Sequence, residues 1–250
     1  MDLNELKKNW EQLGEADPFY AILRYRSKTA GNWDLKEFFD TGTKDVEGIM
    51  SKMDSSGVLS RRPQRALDFG CGVGRLTQPL GARFEEVVGV DISSSMVGLA
   101  NKLNTALNCK FLINERSDLS LFPDGHFDFI LSLITLQHMQ PKYVKSYLRE
   151  FMRVLSRGGV AYFGIPDRRK GSLYGRAKDR MFGWLIAHRY LDSPYRILRH
   201  RSEPVMEMYG VKKNEITSLM KSTGGEVISI EESQDGGPNW LSYHYCIKKT

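Results

Sequence analysis

The sequence predicts an α/β fold wound on both faces of a mostly parallel sheet, and three observations predict it. From residue 65 onward short apolar runs alternate with helical stretches. The first run ends in a glycine-rich turn, and two strand-like runs close the chain around Gly236, Gly237 and Pro238. Alternation with short joints implies parallel strands joined by right-handed crossovers.

The elements follow in order. Between Leu3 and Met53 apolar residues recur at three and four positions, most clearly from Trp33 through Phe38 and Phe39 to Val46, Ile49, Met50 and Met53. That period is helical. Arg61, Arg62 and Pro63 then form a polar joint. Strands are expected at Arg65–Phe69, Glu86–Val90, Lys110–Ile113, Phe127–Leu133 and Val160–Ile165, with helices at Leu76–Phe84, Ser94–Leu107 and Tyr143–Leu155. A helix at Lys213–Ser222 and a hairpin of Glu226–Glu232 with Leu241–Lys248 bring the sheet to seven strands. We read one domain over 1–250: a helical N-terminal extension (1–62), a core (63–166), a basic helical insertion (167–210), and a C-terminal helix and hairpin (211–250).

The composition is that of a soluble globular protein. Of 250 residues 41% are hydrophobic and 26% charged, which excludes a disordered chain, a collagen-like repeat and a disulfide-stapled miniprotein. The net charge of +6 is too small to identify a nucleic-acid binder. Cys71, Cys109 and Cys246 form no C-x-x-C pair, so a zinc site or disulfide framework is not expected. The N-terminal stretch lacks the apolar core of a signal peptide, and no run of about 18 apolar residues occurs. A cytoplasmic protein is expected.

The most informative stretch is ALDFGCGVGRLTQPL, residues 66–80. The strand carries Asp68 near its end, and Gly70, Gly72 and Gly74 follow at every second position before a helix. Glycine permits a tight turn and a close ligand, and a helix N-terminus offers free N–H groups. Asp91, seventeen residues beyond Gly74 in VVGVDIS, is placed to accept from the two hydroxyls of an unphosphorylated ribose. Dinucleotide folds use G-x-G-x-x-G, whereas here the third glycine comes one residue early. An acid beside the loop repels a pyrophosphate and welcomes an ammonium group, so a nicotinamide or flavin is disfavoured.

These blocks, with DLSLFPDGHFDFILS and RVLSRGGVAYFGIP following in order, resemble the class I S-adenosylmethionine-dependent methyltransferases, particularly bacterial enzymes acting on small molecules. The resemblance spans Arg65 to about Pro166 and implies a Rossmann-like fold with S-adenosyl-L-methionine as cofactor. It implies that Asp68, Gly70, Cys71, Gly72 and Gly74 cradle the methionyl part, that Asp91 takes the ribose hydroxyls, and that Ile92 and Met96 lie beside the adenine. The adenine edge falls to a residue within 114–119, with Asp118 and Leu119 foremost and Glu115 the alternative. Leu133 and Ile134 are expected under the cofactor. Cys71 fills a slot often held by cysteine in the family, and its expected role is structural.

Methyl transfer from a sulfonium needs alignment, plus a base where the acceptor starts protonated. After the fourth strand the chain reads SLITLQHM. It lacks the N/D-P-P-Y/F element of amino-methylating nucleobase enzymes, the nucleophilic cysteine of RNA cytosine-C5 enzymes and the acid cluster of metal-dependent catechol enzymes. His138 has two readings, a general base for a hydroxyl or a packed, hydrogen-bonded residue. Residues 168–201 hold ten Lys or Arg against two Asp, so the rest of the chain is slightly acidic. Their apolar positions, Leu173, Ala177, Met181, Trp184, His188 and Leu191, recur at helical spacing. A packed cap, a lid whose arginines hold an anionic acceptor, and peripheral docking to an anionic membrane all stay open, whereas few interleaved aromatics disfavour RNA. The expectation is methylation of a small-molecule acceptor, with oxygen preferred. The alternatives are methylation of RNA or protein, or a non-catalytic cofactor-binding regulator. Nothing in the sequence sets the oligomeric state.

Overall fold

The computed structural model describes residues 1–28, 31–59, 63–171 and 204–250. Seven strands form one sheet: β1 Arg65–Phe69, β2 Glu86–Asp91, β3 Cys109–Ile113, β4 Phe127–Ser132, β5 Leu155–Arg169, β6 Gly225–Ser233 and β7 Trp240–Lys249, in the order β3-β2-β1-β4-β5-β7-β6. The first five run parallel, and β7 pairs antiparallel with both β5 and β6. The fold class is the expected one, with the hairpin at its edge.

Helices cover both faces because the buried strands carry apolar residues on both sides. On one face α6 (Pro141–Val154) and α7 (Lys213–Ser222) pack Leu148, Phe151 and Ile216 against Leu67, Ile130 and Phe163. On the other, α3 (Leu35–Ser56), α4 (Thr77–Leu80) and α5 (Ser94–Leu103) set Val46, Met50, Leu80 and Val97 against Ala66, Phe129 and Tyr162. The N-terminal helical region resolves into α1 (Leu3–Ala16), α2 (Pro18–Ile22), a 3-10 turn at Arg26–Lys28, and α3. Asp2 and Glu5 close a capping box at the start of α1, and Gly57 ends α3 in the left-handed region at φ 61°.

Three elements differ most from the sequence reading. The helix expected over Leu76–Phe84 stops at Leu80, after which Gly81, Ala82 and Arg83 N–H turn to carbonyls three residues back, those of Gln78, Pro79 and Leu80, while Asn108 Nδ2 donates to the carbonyls of Gly81 and Phe84. The next stops at Leu103, where Asn104 turns extended and donates to the carbonyls of Ala106 and Cys109. β5 exceeds the expected Val160–Ile165 at both ends: it starts at Leu155, opposite Phe127, and runs past Pro166 to Arg169, with a register shift between Pro166 and Arg168 absorbing the missing N–H. Residues 204–210, expected within the insertion, carry no helix or strand; the helical stripe expected over 173–191 lies outside the described residues.

Candidate cofactor site

The site lies where the strand order turns back, beyond the carboxyl ends of β1, β2 and β4, the crevice in which open α/β sheets bind ligands. A cavity of about 740 Å³, its open mouth included, occupies this point. Its floor is the glycine turn. Gly70 and Cys71 N–H both donate to the Val90 carbonyl, at 2.8 and 3.0 Å, tying the turn to β2. Gly70 has φ 78°, and a Cβ there would stand 2.1 Å from Thr135 of the β4 turn. Gly72, at φ 52°, donates to Asp91 Oδ2 at 2.9 Å, while Asp91 Oδ1 accepts from Ser93 N–H at 2.9 Å. Burial raises the Asp91 carboxyl above its ordinary range, and these N–H groups oppose the shift. Each oxygen keeps a lone pair for a ligand hydroxyl.

The structure gathers Gly70, Gly72, Asp91, Ile92, Met96, Leu133, Ile134 and His138 around this cavity. Others singled out in the sequence do not line it. Asp68 is 1% exposed and accepts a 2.6 Å hydrogen bond from the Thr77 hydroxyl beneath the turn. Burial lifts its carboxyl to about 7, against the opposing hydroxyl and Arg75. Cys71 is buried against Gly89, and desolvation pushes its thiol well up, which suits packing. Gly74 faces Phe111. At the adenine end, Leu119 is fully buried in the core with its N–H given to Glu150, and the Asp118 carboxylate accepts from Ser120 N–H. Glu115 pairs with Lys7 at 2.7 Å. Asn114 is the member of that stretch that lines the cavity, held by its own amide donating to the Asp118 carbonyl at 2.9 Å.

His138 sits in the 3-10 turn Leu136–His138 and is 4% exposed. Its Nδ1–H donates to the Glu207 carbonyl at 2.9 Å, leaving Nε2 to accept from Gln137 Nε2 at 3.2 Å. Burial, opposed by the Glu207 contact, lowers its pKa to about 4. Both ring nitrogens are therefore engaged and the imidazole is neutral. Trp10 meets the ring edge-on at 5.2 Å.

Sequence reasoning missed the roof. Leu3, Leu6 and Trp10 of α1, with Ile22 of α2, cover the cavity, and Thr135, Met139 and Tyr147 complete it. The spacing of Leu3, Leu6 and Trp10 carried the signal as an apolar stripe, but nothing local says which surface a stripe covers. Ile134, at φ 58°, is a β-branched residue in the left-handed region, which costs backbone energy. A turn that faces the cavity with Gly70 and Gly72, a carboxylate fixed by two N–H groups and apolar walls together fit an adenosyl group joined to a short chain.

Comparison with known proteins agrees. Residues 67–163 match the model of a family described as "Methyltransferase domain". An uncharacterized protein of Methanocaldococcus jannaschii is 35% identical over 139 residues, 54% of this chain and 62% of that protein. Phosphoethanolamine N-methyltransferase 3 of Arabidopsis thaliana is 30% identical over 136 residues, 53% of this chain and 27% of that enzyme. The chain thus spans less than two thirds of these relatives. The structure of magnesium protoporphyrin IX methyltransferase from Synechocystis PCC 6803 with bound SAH superposes over 100% of both chains at a TM-score of 0.65 and 17% identity, a likeness of fold. Residues 67–163 are thus similar to the methyltransferase-domain family, and the sheet shares the fold of that methyltransferase. S-adenosylmethionine is the cofactor of that family, and the cavity is where the core would hold it.

Proposed function

We propose that this chain transfers a methyl group from S-adenosylmethionine to a small-molecule acceptor, oxygen being the preferred atom. The observation that carries the reading is the Gly72–Asp91 hydrogen bond at the floor of a roofed apolar cavity, inside the segment that matches the methyltransferase family. The names of relatives such as the phosphoethanolamine enzyme support a small acceptor.

The bound cofactor supplies an electrophilic methyl on a sulfonium whose departing sulfur is a neutral thioether. This chain's residues do the positioning. Asp91 accepts from the ribose hydroxyls, and Gly70 and Gly72 let the backbone approach the methionyl chain. Ile92 and Met96 flank the base, Asn114 meets its edge, and Leu133 and Ile134 lie beneath. His138 holds the cavity wall to the segment 204–211, which Tyr209 N–H also ties to the Gln137 carbonyl at 2.7 Å. The charge of 168–201 supports peripheral contact with an anionic membrane.

Calorimetry with S-adenosylhomocysteine tests the cofactor, and a tritiated methyl donor added to a size-fractionated cell extract tests the acceptor. Affinity with label in the small-molecule fraction is expected. Label in RNA or protein moves the reading to a macromolecular acceptor. Affinity without transfer makes the protein a cofactor-binding regulator.

A further inference from the structure

The cofactor reading uses only part of the cavity's lining. With Gly70 and Gly72 at the methionyl chain and Asp91, Ile92, Met96 and Asn114 around the nucleoside, a second wall is left. Leu3, Leu6 and Trp10 of α1 form it with Thr135, His138 and Met139, which follow β4. This wall meets the methionyl end of the site: Thr135 stands so close over Gly70 that a Cβ there would lie 2.1 Å from its methyl group. An acceptor that reaches the methyl carbon shares this cavity and lies against this wall.

The wall is apolar, and its polar atoms are committed within the protein. Leu6 and Met139 are buried in one core cluster, and Leu3 and Trp10 pack against it. The Thr135 hydroxyl donates to the Leu133 and Gly70 carbonyls, at 3.1 and 3.3 Å. His138 spends Nδ1–H on the Glu207 carbonyl and the Nε2 lone pair on the Gln137 amide. The Trp10 indole can only donate. Elsewhere in the lining, Asn114 donates to the Asp118 carbonyl and accepts from Arg116 N–H, Tyr147 donates to the Arg116 carbonyl, and Asp91 lies at the ribose end. Among the described residues that line the cavity, none is placed to take an acceptor's proton at the methyl.

Such a wall selects the charge type of the reaction. Methylating a neutral alcohol without a base turns a sulfonium into an oxonium, and the positive charge persists. Methylating an oxyanion leaves two neutral products, so opposite charges vanish on the way to the transition state. Water stabilises the separate ions and an apolar wall does not, so this wall raises the ground state more than the transition state. A positive sulfur beside the hydroxyl also lowers its pKa, and does so more strongly in a low dielectric. A phenolate spreads its charge into a ring and is desolvated at less cost than a carboxylate.

We propose that the acceptor is an apolar molecule with an acidic, phenol-type hydroxyl, which lies against Leu6, Trp10 and Met139 and reacts as its oxyanion. The inference deepens the methyltransferase reading above and rests on it. The hydroxyl loses its proton to water as the acceptor enters. Its oxygen then bonds to the methyl carbon as the carbon–sulfur bond breaks, and sulfur keeps that electron pair as a neutral thioether. No side chain gains a proton. Leu6, Trp10 and Met139 select the acceptor by shape and by excluding water.

The test separates ionisation by the neighbouring positive charge from ionisation by a protein base. The probe is 4-nitrophenol, whose anion absorbs in the visible, used below the pH at which the free phenol ionises. It is added to protein saturated with S-adenosylhomocysteine, a neutral thioether, or with sinefungin, which carries an ammonium in place of the methylsulfonium. Both loaded forms are expected to bind it, and sinefungin should raise the ionised fraction of bound probe at least tenfold over S-adenosylhomocysteine. Equal ionisation in the two forms would mean that a protein group takes the proton and overturns the proposal, as does a probe that neither form binds. Trp10→Ala should weaken probe binding at least tenfold, and Trp10→Phe far less; Leu3→Ala is the second variant should Trp10→Ala fail to fold. Binding unchanged by these variants places the probe off this wall and also overturns the proposal. Absence of S-adenosylhomocysteine binding to wild type overturns the methyltransferase reading itself.

Discussion

Two buried titratable residues beside the glycine turn have opposed effects on stability. Asp68 is lifted to about 7 in the fold, so the native state holds a proton the unfolded chain has lost, and stability falls as pH rises from about 4 to 7. Asp91 shares that sign. His138, lowered to about 4, refuses a proton the unfolded chain takes below its ordinary value of 6.5, so stability rises over the same window. In wild type the slopes largely offset each other. Urea unfolding at a series of pH values is expected to separate them: relative to wild type, Asp68→Asn should shift the slope of stability between pH 4 and 6.5 upward, and His138→Gln should shift it downward. If both variants track wild type, the burial argument is wrong. Ile134 gives a second residue-level prediction. Ile134→Ala and Ile134→Gly remove the same packing and differ mainly in backbone freedom. With φ at 58°, the glycine variant should be the more stable by about 1 kcal/mol, the reverse of the usual order. Matched denaturant midpoints for the pair would refute strain at this turn.

Among the elements, α1 decides whether the cavity is closed. Its Glu11 carboxylate takes hydrogen bonds from the Ser93 and Ser94 hydroxyls, at 2.9 and 2.8 Å, and from Ser95 N–H at 2.9 Å. A negative charge there also favours the N-terminus of α5. Glu11→Ala should therefore loosen the roof, costing about 1–2 kcal/mol in S-adenosylhomocysteine affinity by calorimetry, with faster amide exchange over residues 3–16. Unchanged affinity would show that α1 does not shape the site. This element also marks where the sequence stops being legible. The sheet could be read because strand runs such as Leu67–Phe69 and Val87–Val90 are punctuated by turns, and the floor because Gly70, Gly72 and Asp91 act through backbone positions fixed by neighbours in the chain. The roof could not, because Leu6 and Trp10 meet residues more than a hundred positions away. Asp118 and Leu119 show the converse: the stretch 114–119 reaches the cavity through Asn114, but their own side chains turn elsewhere, one to Ser120 and one to the core.

For the whole molecule, charge is the property that no single site explains. Ten Lys or Arg and two Asp fall within 168–201, and the remaining chain is slightly acidic, so an anionic surface attracts that segment and mildly repels the rest of the chain. At the root of the segment, partners dilute this charge: Arg168 pairs with Asp167 at 2.6 Å, Lys170 with Glu232 at 3.3 Å, and Arg169 lies over Trp240 at 5.4 Å. Each unpaired basic residue near an anionic bilayer contributes about 1 kcal/mol, and the field fades within a Debye length of about 8 Å at physiological salt. Flotation with phosphatidylglycerol vesicles is therefore expected to carry the protein at low salt and lose it near 0.5 M, where the Debye length falls to about 4 Å, while phosphatidylcholine vesicles carry none. The triple variant Arg176→Gln, Lys178→Gln, Arg180→Gln removes three charges and should weaken association roughly a hundredfold. The pair Arg168→Gln, Lys170→Gln should weaken it far less, because both side chains already answer acids of this chain. Equal losses from the two variants would mean that total charge governs the contact. No association at any salt would confine the segment's role to the protein itself.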